Sequence, residues 1–417
     1  MMATGFVLKP AQFFEACQAS VGEYFTLRPS PGRVLVVTSD PEAVRAVFTG
    51  DPAKLLAGRA NAILAPLVGS RSVLLLDGAE HLRERRRLLA PFHGERLQRT
   101  RRAIAEIARW HIAGWPRGRR FPALESMQAI TLEVIMRVVF GVEDQRRRER
   151  LARALRRQLD LLSSRAATLG LSLTAGPAGP GRGGLWELLF GARRQADRLI
   201  YEQLELRRRG HGASADVLGW LLDARDERGR PPTDEQLRDQ LMTLLVAGHE
   251  TTATALAWTL ERLTRERDVL ERLYADPSDE RYIDAVVREA LRLRPVLPAV
   301  ARQLACPMRF GPWLLPAGVQ IAPSIYLLHR RADLYPEPQR FLPERFLERP
   351  PGTYEWIPFG GGVRRCLGAS FALLEMRTVL AEVVRSVRLL PARAGAERVR
   401  RRGITFAPAR GGLIAVR

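Results

Sequence analysis

The ten residues from Phe359 to Gly368 constrain this chain more than any other stretch. Cys366 follows a glycine-rich turn, has Arg364 and Arg365 directly before it, and precedes an apolar run at 369–376 that predicts a helix. Positive neighbours and a helix N-terminus stabilise a thiolate, the nucleophilic and metal-binding form of cysteine. Glycines let the backbone crowd the sulfur and let a flat cofactor lie against the chain. The stretch therefore predicts a thiolate site rather than an ordinary buried cysteine.

These residues match the pattern Phe-x-x-Gly-x-Arg-x-Cys-x-Gly, by which the chain resembles the cytochrome P450 family. In that family a cysteine thiolate is the proximal ligand of the iron in haem b. The resemblance implies that Cys366 is the metal ligand and that Arg364 contacts a haem propionate. It also implies that Phe359 packs near the sulfur and that Gly368 lets the next helix approach the ring.

A long helix is predicted from residue 234 to about Leu263. Its start is a capping-box pattern, Thr233 to Gln236, and a helix of this length would span roughly 45 Å. Its middle reads Ala-Gly-His-Glu-Thr-Thr over 247–252. A glycine there costs about 1 kcal/mol relative to alanine, and an acid beside two threonines is a poor choice for a core. Such an interruption indicates a functional site.

The interrupted stretch resembles the P450 pattern Ala/Gly-Gly-x-Asp/Glu-Thr. The resemblance implies that Glu250 and Thr251 are catalytic and deliver protons to bound dioxygen, while Ala247 and Gly248 leave room for it. His249 occupies the variable position of the pattern, so we interpret it as structural.

Three further residues resemble those that hold the haem propionates. His81 and Arg85 share one face of a helix predicted to begin at Asp77-Gly78, and they match the family pattern His-x-x-x-Arg. Arg302 follows an apolar segment, Val296 to Val300, that predicts a pocket-lining strand, and it is placed like the strand arginine that meets a propionate. On residue types alone, the His–Arg pair would be solvated surface.

Glu289 and Arg292 lie three residues apart on one predicted helix face, and Arg345 follows further along the chain. Alone, the first two would form a surface pair worth a few tenths of a kcal/mol. The resemblance implies that all three join in a buried network that shapes the haem-binding core.

The candidate substrate-pocket positions are nearly all apolar. They are Leu244, Ala247, Leu297, Ala299, Val300, Ile404 and Phe406. This composition predicts a hydrophobic substrate such as a terpenoid, a fatty acid or a steroid-like ring system. The segment 58–72 is either the roof of this pocket or a surface loop, and the Gly- and Pro-rich segment 168–184 is either its lid or a plain linker.

The cysteine count indicates the cellular compartment of the protein, and the net charge indicates which kinds of macromolecule it could bind. The three cysteines, Cys17, Cys306 and Cys366, are odd in number and lack paired spacing, which predicts a reducing, cytoplasmic setting. The formal net charge is +21, and only Lys9 and Lys54 are lysines. Because the arginine clusters alternate with acidic residues and lack interleaved aromatics, we interpret most as solvated helix faces. We expect no nucleic-acid partner and an acidic protein partner for some clusters.

The motifs together predict a mainly α fold of the cytochrome P450 type with a smaller β-rich part. The early residues lack a sustained apolar run, so we expect a soluble protein without a membrane anchor. We expect one domain over 1–417, with β-rich parts near 20–60, 296–325 and 385–417 and a helical core at about 77–295 and 366–386.

The predicted function is that of a haem-thiolate monooxygenase that inserts one oxygen atom from O2 into a hydrophobic small molecule. Since no reductase-like or ferredoxin-like segment is recognised, electrons are expected from a separate ferredoxin and ferredoxin reductase. A monomer is expected. Two alternatives remain: a peroxide-using haem-thiolate peroxygenase, against which the Glu250-Thr251 pair argues, and a non-catalytic haem-binding sensor.

Overall fold

A computed structural model describes residues 9–30, 32–89, 95–163, 184–210 and 216–417 of the chain. The statements below concern these ranges. Most of the segment 168–184, for which a lid or a linker was predicted, lies outside them.

Helices dominate the described chain and confirm the mainly α fold. In chain order they are α1 (Pro10–Val21), α2 (Pro41–Thr49), α3 (Ala57–Ala60), α4 (Ala65–Val68), α5 (Gly78–Leu89), α6 (Glu95–Ala113), α7 (Ala123–Val134), α8 (Gln145–Ser163), α9 (Gly184–Arg208), α10 (Val217–Asp223), α11 (Asp234–Leu263), α12 (Arg267–Ala275), α13 (Glu280–Leu293), α14 (Ile325–Leu328), α15 (Arg345–Glu348) and α16 (Ala369–Ser386). A π-helical turn, Ile135–Val139, continues α7, and short 3-10 helices occur at Ala62–Leu64 and Gly362–Arg364.

The strands form small sheets beside the helices. They are β1 (Tyr24–Ser30), β2 (Arg33–Thr38), β3 (Leu55–Leu56), β4 (Arg120–Pro122), β5 (Arg302–Leu304), β6 (Met308–Phe310), β7 (Trp313–Leu315), β8 (Gln320–Pro323), β9 (Leu389–Pro391), β10 (Val399–Arg402), β11 (Thr405–Pro408) and β12 (Leu413–Val416). The five-stranded sheet has the order β1-β2-β8-β5-β3, with β2 and β8 parallel. Smaller sheets are β4-β12-β9, β6-β7 and the hairpin β10-β11.

Helix α11 is the central element of the helical part. The predicted capping box is confirmed: the Thr233 hydroxyl accepts from the Gln236 amide at 3.2 Å, and the Gln236 side chain accepts from the Thr233 amide at 2.9 Å. The helix ends at Leu263, as predicted. It packs against α7, α13 and α16, and in the interrupted stretch 247–252 His249 and Thr252 are buried while Ala247 is exposed.

The strand predicted over 296–300 is wrong. The segment is irregular, and only Ala299 makes a bridge, to Ser324. Pro298 lacks the amide that a ladder needs, and proline is confined to edges or bulges of sheets. The segment is held instead by single bonds, such as Val300 N–H to the Pro323 carbonyl at 3.2 Å, and the strand begins only at Arg302.

Within the described ranges, no helix combines the length and the apolar character that crossing a bilayer requires. The same ranges contain no group of three or more His, Cys, Asp and Glu side chains placed to hold a metal ion. A metal in this part of the chain would therefore depend on few protein ligands.

Candidate active site

The loop 359–368 places the Cys366 sulfur at the start of α16. The Cys366 amide donates to the Phe359 carbonyl at 2.9 Å and closes the loop. Gly368 is the residue that precedes α16, and its amide donates a hydrogen bond to the sulfur. The Phe359 ring packs edge-on against Trp356 with 5.9 Å between centroids. The loop therefore presents the sulfur to the positive end of an 18-residue helix.

Burial raises the pKa of the Cys366 thiol, although the Gly368 amide, Arg85 and Arg365 act to lower it. By accessible surface the same residue is exposed. Both observations fit a sulfur that faces a recess walled by protein. The pKa of the thiol follows its burial rather than its accessible surface, because the atoms packed around the sulfur displace water that would stabilise a thiolate. The sequence had suggested that the positive neighbours are enough to make a thiolate. In the structure they are not, because the effect of burial on the pKa is larger. Coordination to a metal would, since a coordinating thiol is deprotonated.

Two glycines of the loop serve packing against α2. A Cβ on Gly361 would lie 2.5 Å from Phe48 Cδ2. Gly362 has φ +62°, and a Cβ on it would overlap the Phe48 carbonyl oxygen. The sequence assigned these glycines to the sulfur and to a flat cofactor, whereas the structure shows that they also let the loop lie against Phe48.

Four basic side chains predicted for the cofactor site lie near one another: His81, Arg85, Arg302 and Arg364. Burial and the nearby Arg364, Arg85 and Arg302 lower the pKa of His81 to about 3, so the imidazole is neutral near pH 7. Burial and Arg364 lower the pKa of Arg302 to about 10. Asp77 offsets this charge through an ion pair of 2.6 Å with Arg364. The cluster keeps more positive charge than one acid balances, which suits a ligand that carries carboxylates.

Bonds within the protein orient two of these guanidinium groups. Arg302 donates to the Ala301 carbonyl at 2.9 Å, and its guanidinium lies 6.0 Å from the centre of the Phe48 ring. Arg364 donates to the Val73 carbonyl at 3.3 Å, to the Leu76 carbonyl and to Asp77. Together with the thiol, this donor set fits haem b, whose iron takes a cysteine ligand and whose propionates take arginine and histidine donors.

Asp77 is a residue of this site that sequence reasoning missed. Its carboxylate accepts from the amides of Gly58 and Arg59 at 2.8 and 3.1 Å, in addition to Arg364. It thereby joins α3, the start of α5 and the cysteine loop. The sequence marked it only as a helix start, and no local signal indicated its distant partners.

Glu250 and Thr251 make separate contacts. The Thr251 hydroxyl donates to the Ala247 carbonyl. The Glu250 carboxylate accepts from Gln128 Nε2 at 2.7 Å through Oε2, and Arg402 Nη1 lies 3.0 Å from Oε1. Sequence reasoning missed these two partners of the acid: Gln128 gave no signal, and Arg402 lies in an arginine cluster interpreted as solvated.

The residues next to Glu250 in the helix have different surroundings. Ala247 is exposed although its helix is largely buried, so it borders accessible space inside the protein. A Cβ on Gly248 would lie 3.3 Å from Ile135 Cδ1, so this glycine also permits the close packing on α11 of the π-helical turn that continues α7. His249 is structural, as interpreted: Nδ1 pairs with the Thr131 hydroxyl at 2.8 Å, and burial lowers its pKa to about 3.

Glu289, Arg292 and Arg345 are brought together. Arg292 donates to both oxygens of Glu289, at 2.6 and 2.8 Å, and Arg345 donates to Oε1 at 3.3 Å. Both members of the first pair are fully buried. The remaining Arg292 donors reach the carbonyls of His329, Pro338 and Arg340 at 2.8 to 2.9 Å, so the network anchors the irregular segment that leads to the cysteine loop.

Some of the predicted pocket positions are free to contact a ligand, and at least one is not. Leu244, Leu297 and Val300 are partly buried beside the cores, which leaves them available to a pocket. The assignment of Phe406 is corrected: its ring is only 2% exposed and packs 6.0 Å from Phe14 and 5.6 Å from Tyr326 between centroids.

Two other pocket candidates lie near Phe406. Ala299 packs against the same cluster as Phe406. Ile404 is 48% exposed at the hairpin between β10 and β11.

An exposed cysteine beside a basic set for carboxylates, together with an acid–threonine pair, defines a haem-thiolate protein. The family model described as Cytochrome P450 matches residues 4–413 of this chain, and the chain belongs to the cytochrome P450 family. It is a P450 monooxygenase with haem b as its cofactor.

Similar proteins and structures agree with this. The chain is 43% identical over 419 residues to putative cytochrome P450 135B1 of Mycobacterium bovis, covering 97% of this chain and 87% of the relative. It is 38% identical over 380 residues to putative cytochrome P450 135A1 of Mycobacterium tuberculosis, covering 89% and 83%. The solved heme domain of cytochrome P450DA has a TM-score of 0.84 at 25% identity, covering 98% and 93%. The retinoic acid bound cyanobacterial CYP120A1 has a TM-score of 0.83 at 24% identity, covering 97% and 94%, and shows the fold alone.

Proposed function

We propose that the Cys366 thiolate would bind the haem iron and that the enzyme inserts one oxygen atom from O2 into a hydrophobic small molecule. The observation that carries this is the convergence of the Cys366 sulfur and Arg85 with the basic cluster around Arg364. Haem b, when bound, supplies the iron at which dioxygen is reduced. His81, Arg85, Arg302 and Arg364 would hold its propionates, and Phe359 and Gly368 would flank the sulfur.

Proton delivery is proposed to depend on residues of α11. Glu250 is held by partners from two other elements, and the Thr251 hydroxyl lies one residue away on the adjoining face. The acid would gain a proton from solvent and the hydroxyl would pass it on, and such a relay requires hydrogen-bond reach to the reacting atoms when substrate is bound. Ala247 and Gly248 keep the helix small beside that site.

The substrate is proposed to be a terpenoid, a fatty acid or a steroid-like molecule. Leu244, Ala247, Leu297 and Val300 offer it apolar surface and no charge. Electrons are proposed to come from a separate ferredoxin and ferredoxin reductase, which would meet a chain of net charge +21 through acidic surfaces. We further propose one cytochrome P450 domain over 1–417, a monomer and a cytoplasmic location, the last because Cys17, Cys306 and Cys366 are all free thiols.

A spectral titration of the purified ferric protein tests the proposal. A panel of terpenoids, fatty acids and steroids is added, and the Soret band is followed. A saturable shift toward high spin with one class would identify that class of substrate. Shifts with none of them would overturn the substrate proposal, and a protein that takes up no haem when haem is supplied would overturn the whole assignment.

A second measurement separates monooxygenase from peroxygenase. Product formation is compared with NADPH and a surrogate ferredoxin and reductase against hydrogen peroxide alone, with whichever ligand shifts the spectrum. Turnover that depends on electron donors supports the monooxygenase. Equal or faster turnover with peroxide alone would contradict it.

A further inference from the structure

An ion pair joins the acid of α11 to the last hairpin of the chain. Arg402, the final residue of β10, places Nη1 3.0 Å from Glu250 Oε1, and each side chain is only 16% exposed. At this distance the positive charge of the guanidinium acts directly on the carboxylate. Because both groups are largely removed from water, that charge acts through a lower dielectric than at a surface.

The hairpin holds Arg402 in a fixed place. Arg402 pairs with Thr405 across the hairpin. Trp258, two helical turns beyond Glu250 on α11, donates to the Phe406 carbonyl at 3.0 Å. The buried Phe406 ring then anchors β11 in the aromatic cluster with Phe14. A side chain carried by an element fixed at several points can hold its partner within a narrow range of positions.

The second oxygen of the acid is held from another direction. Gln128 on α7 donates to Glu250 Oε2 at 2.7 Å. Arg402 also acts on His249, the residue before the acid, where it and Arg156 help burial to lower the pKa of the imidazole. Two separate elements therefore contact the two carboxylate oxygens, Gln128 from α7 and Arg402 from β10, and a positive charge at this distance favours the charged form of a carboxylate.

We propose that Arg402 is a positioning residue for proton delivery: it holds Glu250 ionised and oriented, so that the acid takes up each proton from one defined direction. This inference rests on the proposed role of Glu250. Gln128 completes the arrangement from the other side, and Thr251 remains on its own bond to the Ala247 carbonyl until the proton is passed.

Turnover of the haem-loaded enzyme without substrate provides the first test. NADPH oxidation with a surrogate ferredoxin and reductase is measured in H2O and in D2O for E250Q, R402Q, R402K and the control R400Q, which makes the same change at an exposed position of the same strand. We expect R402Q to slow the reaction roughly tenfold, less than the ~100-fold or more of losing a general acid, with a larger solvent isotope effect. R402K should restore most of the rate, and R400Q should match the wild type.

Equilibrium unfolding in urea supplies a readout that does not depend on turnover. The midpoints of the wild type, E250Q, R402Q and the double variant are compared. If the pair exists as described, each single change lowers the midpoint and the double change lowers it little further, because the second charge has already lost its partner. Fully additive shifts would contradict the pairing.

The outcomes separate the two proposals. If E250Q leaves the rate and isotope effect unchanged, the proposed function of Glu250 fails. If E250Q slows the reaction but R402Q changes neither rate nor isotope effect, the role of Glu250 stands and the positioning role of Arg402 is overturned. A slower R402Q enzyme with an unchanged isotope effect would likewise overturn it, because general destabilisation explains that result.

Discussion

Arg364 in the cysteine loop and Asp77 at the start of α5 form an ion pair of 2.6 Å between residues that are 287 positions apart in the sequence. The arginine proposed to hold a propionate is thus itself held by an acid that also caps the amides of Gly58 and Arg59. The pair connects the cofactor cluster to the segment before α5.

Replacing Asp77 should weaken both the fold and cofactor retention. Asp77→Asn removes the charge that Arg364 faces and disturbs two amide bonds, so we expect a loss of about 2–3 kcal/mol of unfolding free energy and faster haem loss to apomyoglobin. Glu80→Gln on the same helix is the control, because its pair with Arg71 at 3.7 Å is about half exposed. Equal haem-loss rates for both variants would refute the prediction.

Gly362 should tolerate no side chain. Gly362→Ala adds a Cβ that overlaps the Phe48 carbonyl oxygen at φ +62°, whereas Gly360→Ala, at φ +66°, meets no atom within 4 Å. We expect Gly360→Ala to cost about 1–2 kcal/mol from its backbone conformation alone. Gly362→Ala should cost clearly more and lower the haem content of the purified protein. Similar unfolding midpoints would show that the loop does not depend on this packing.

Cys366→Ser should remove the thiolate signature. Haem bound to the variant should give a carbon monoxide difference spectrum without the red-shifted thiolate band, and turnover should fall to background. Cys306→Ser, at a partly exposed cysteine outside the site, should leave the spectrum unchanged. A thiolate band that persists in Cys366→Ser would require another ligand.

The buried Glu289–Arg292 pair should be costly to break. Removing one partner leaves the other charge buried, so Glu289→Ala or Arg292→Ala should lower the unfolding free energy by about 3–5 kcal/mol. Arg340→Ala, in an exposed pair with Glu337, should cost no more than ~1 kcal/mol. Urea unfolding monitored by tryptophan fluorescence measures both, and a small loss at Arg292 would contradict the network.

His249 should make the protein sensitive to acid. Its pKa is about 3 in the folded chain against an ordinary value of 6.5, because of burial and then of Arg156 and Arg402. Between pH 6.5 and about pH 3, the histidine therefore binds a proton in the unfolded chain that it does not bind in the folded chain. The stability is fully present above pH 6.5 and falls by about 1.4 kcal/mol per pH unit as pH drops toward 3. His249→Asn, which cannot titrate, should show a shallower loss between pH 6.5 and 5, and an unchanged slope would contradict this.

Much of the site was predictable because its residues lie in short motifs. The capping box of α11, the pair at Glu289 and the loop around Cys366 carry local patterns of charge, glycine and helical spacing, and those patterns follow directly from the chemistry of each element. The mainly α fold followed from the family resemblance that those motifs carry.

Contacts between distant segments could not be predicted from the sequence. Asp77, Gln128 and Arg402 look like ordinary polar residues until folding brings Arg364 and Glu250 beside them. The strand predicted at 296–300 failed for a different reason, because its apolar character outweighed Pro298 in the prediction. The ring of Phe406 was assigned to the pocket because apolar character does not reveal which of two neighbouring cores a side chain enters.

The packing of Phe48 against Gly361 and Gly362 bears on how such proteins are recognised in genomes. Part of the glycine signature that marks the cysteine loop records packing against the ring and the backbone of Phe48, independent of iron. A descendant of this chain that had lost its chemistry but kept its fold would retain those glycines. Reliable detection of an active member should therefore weigh the cysteine and the basic cluster above the glycines that precede them.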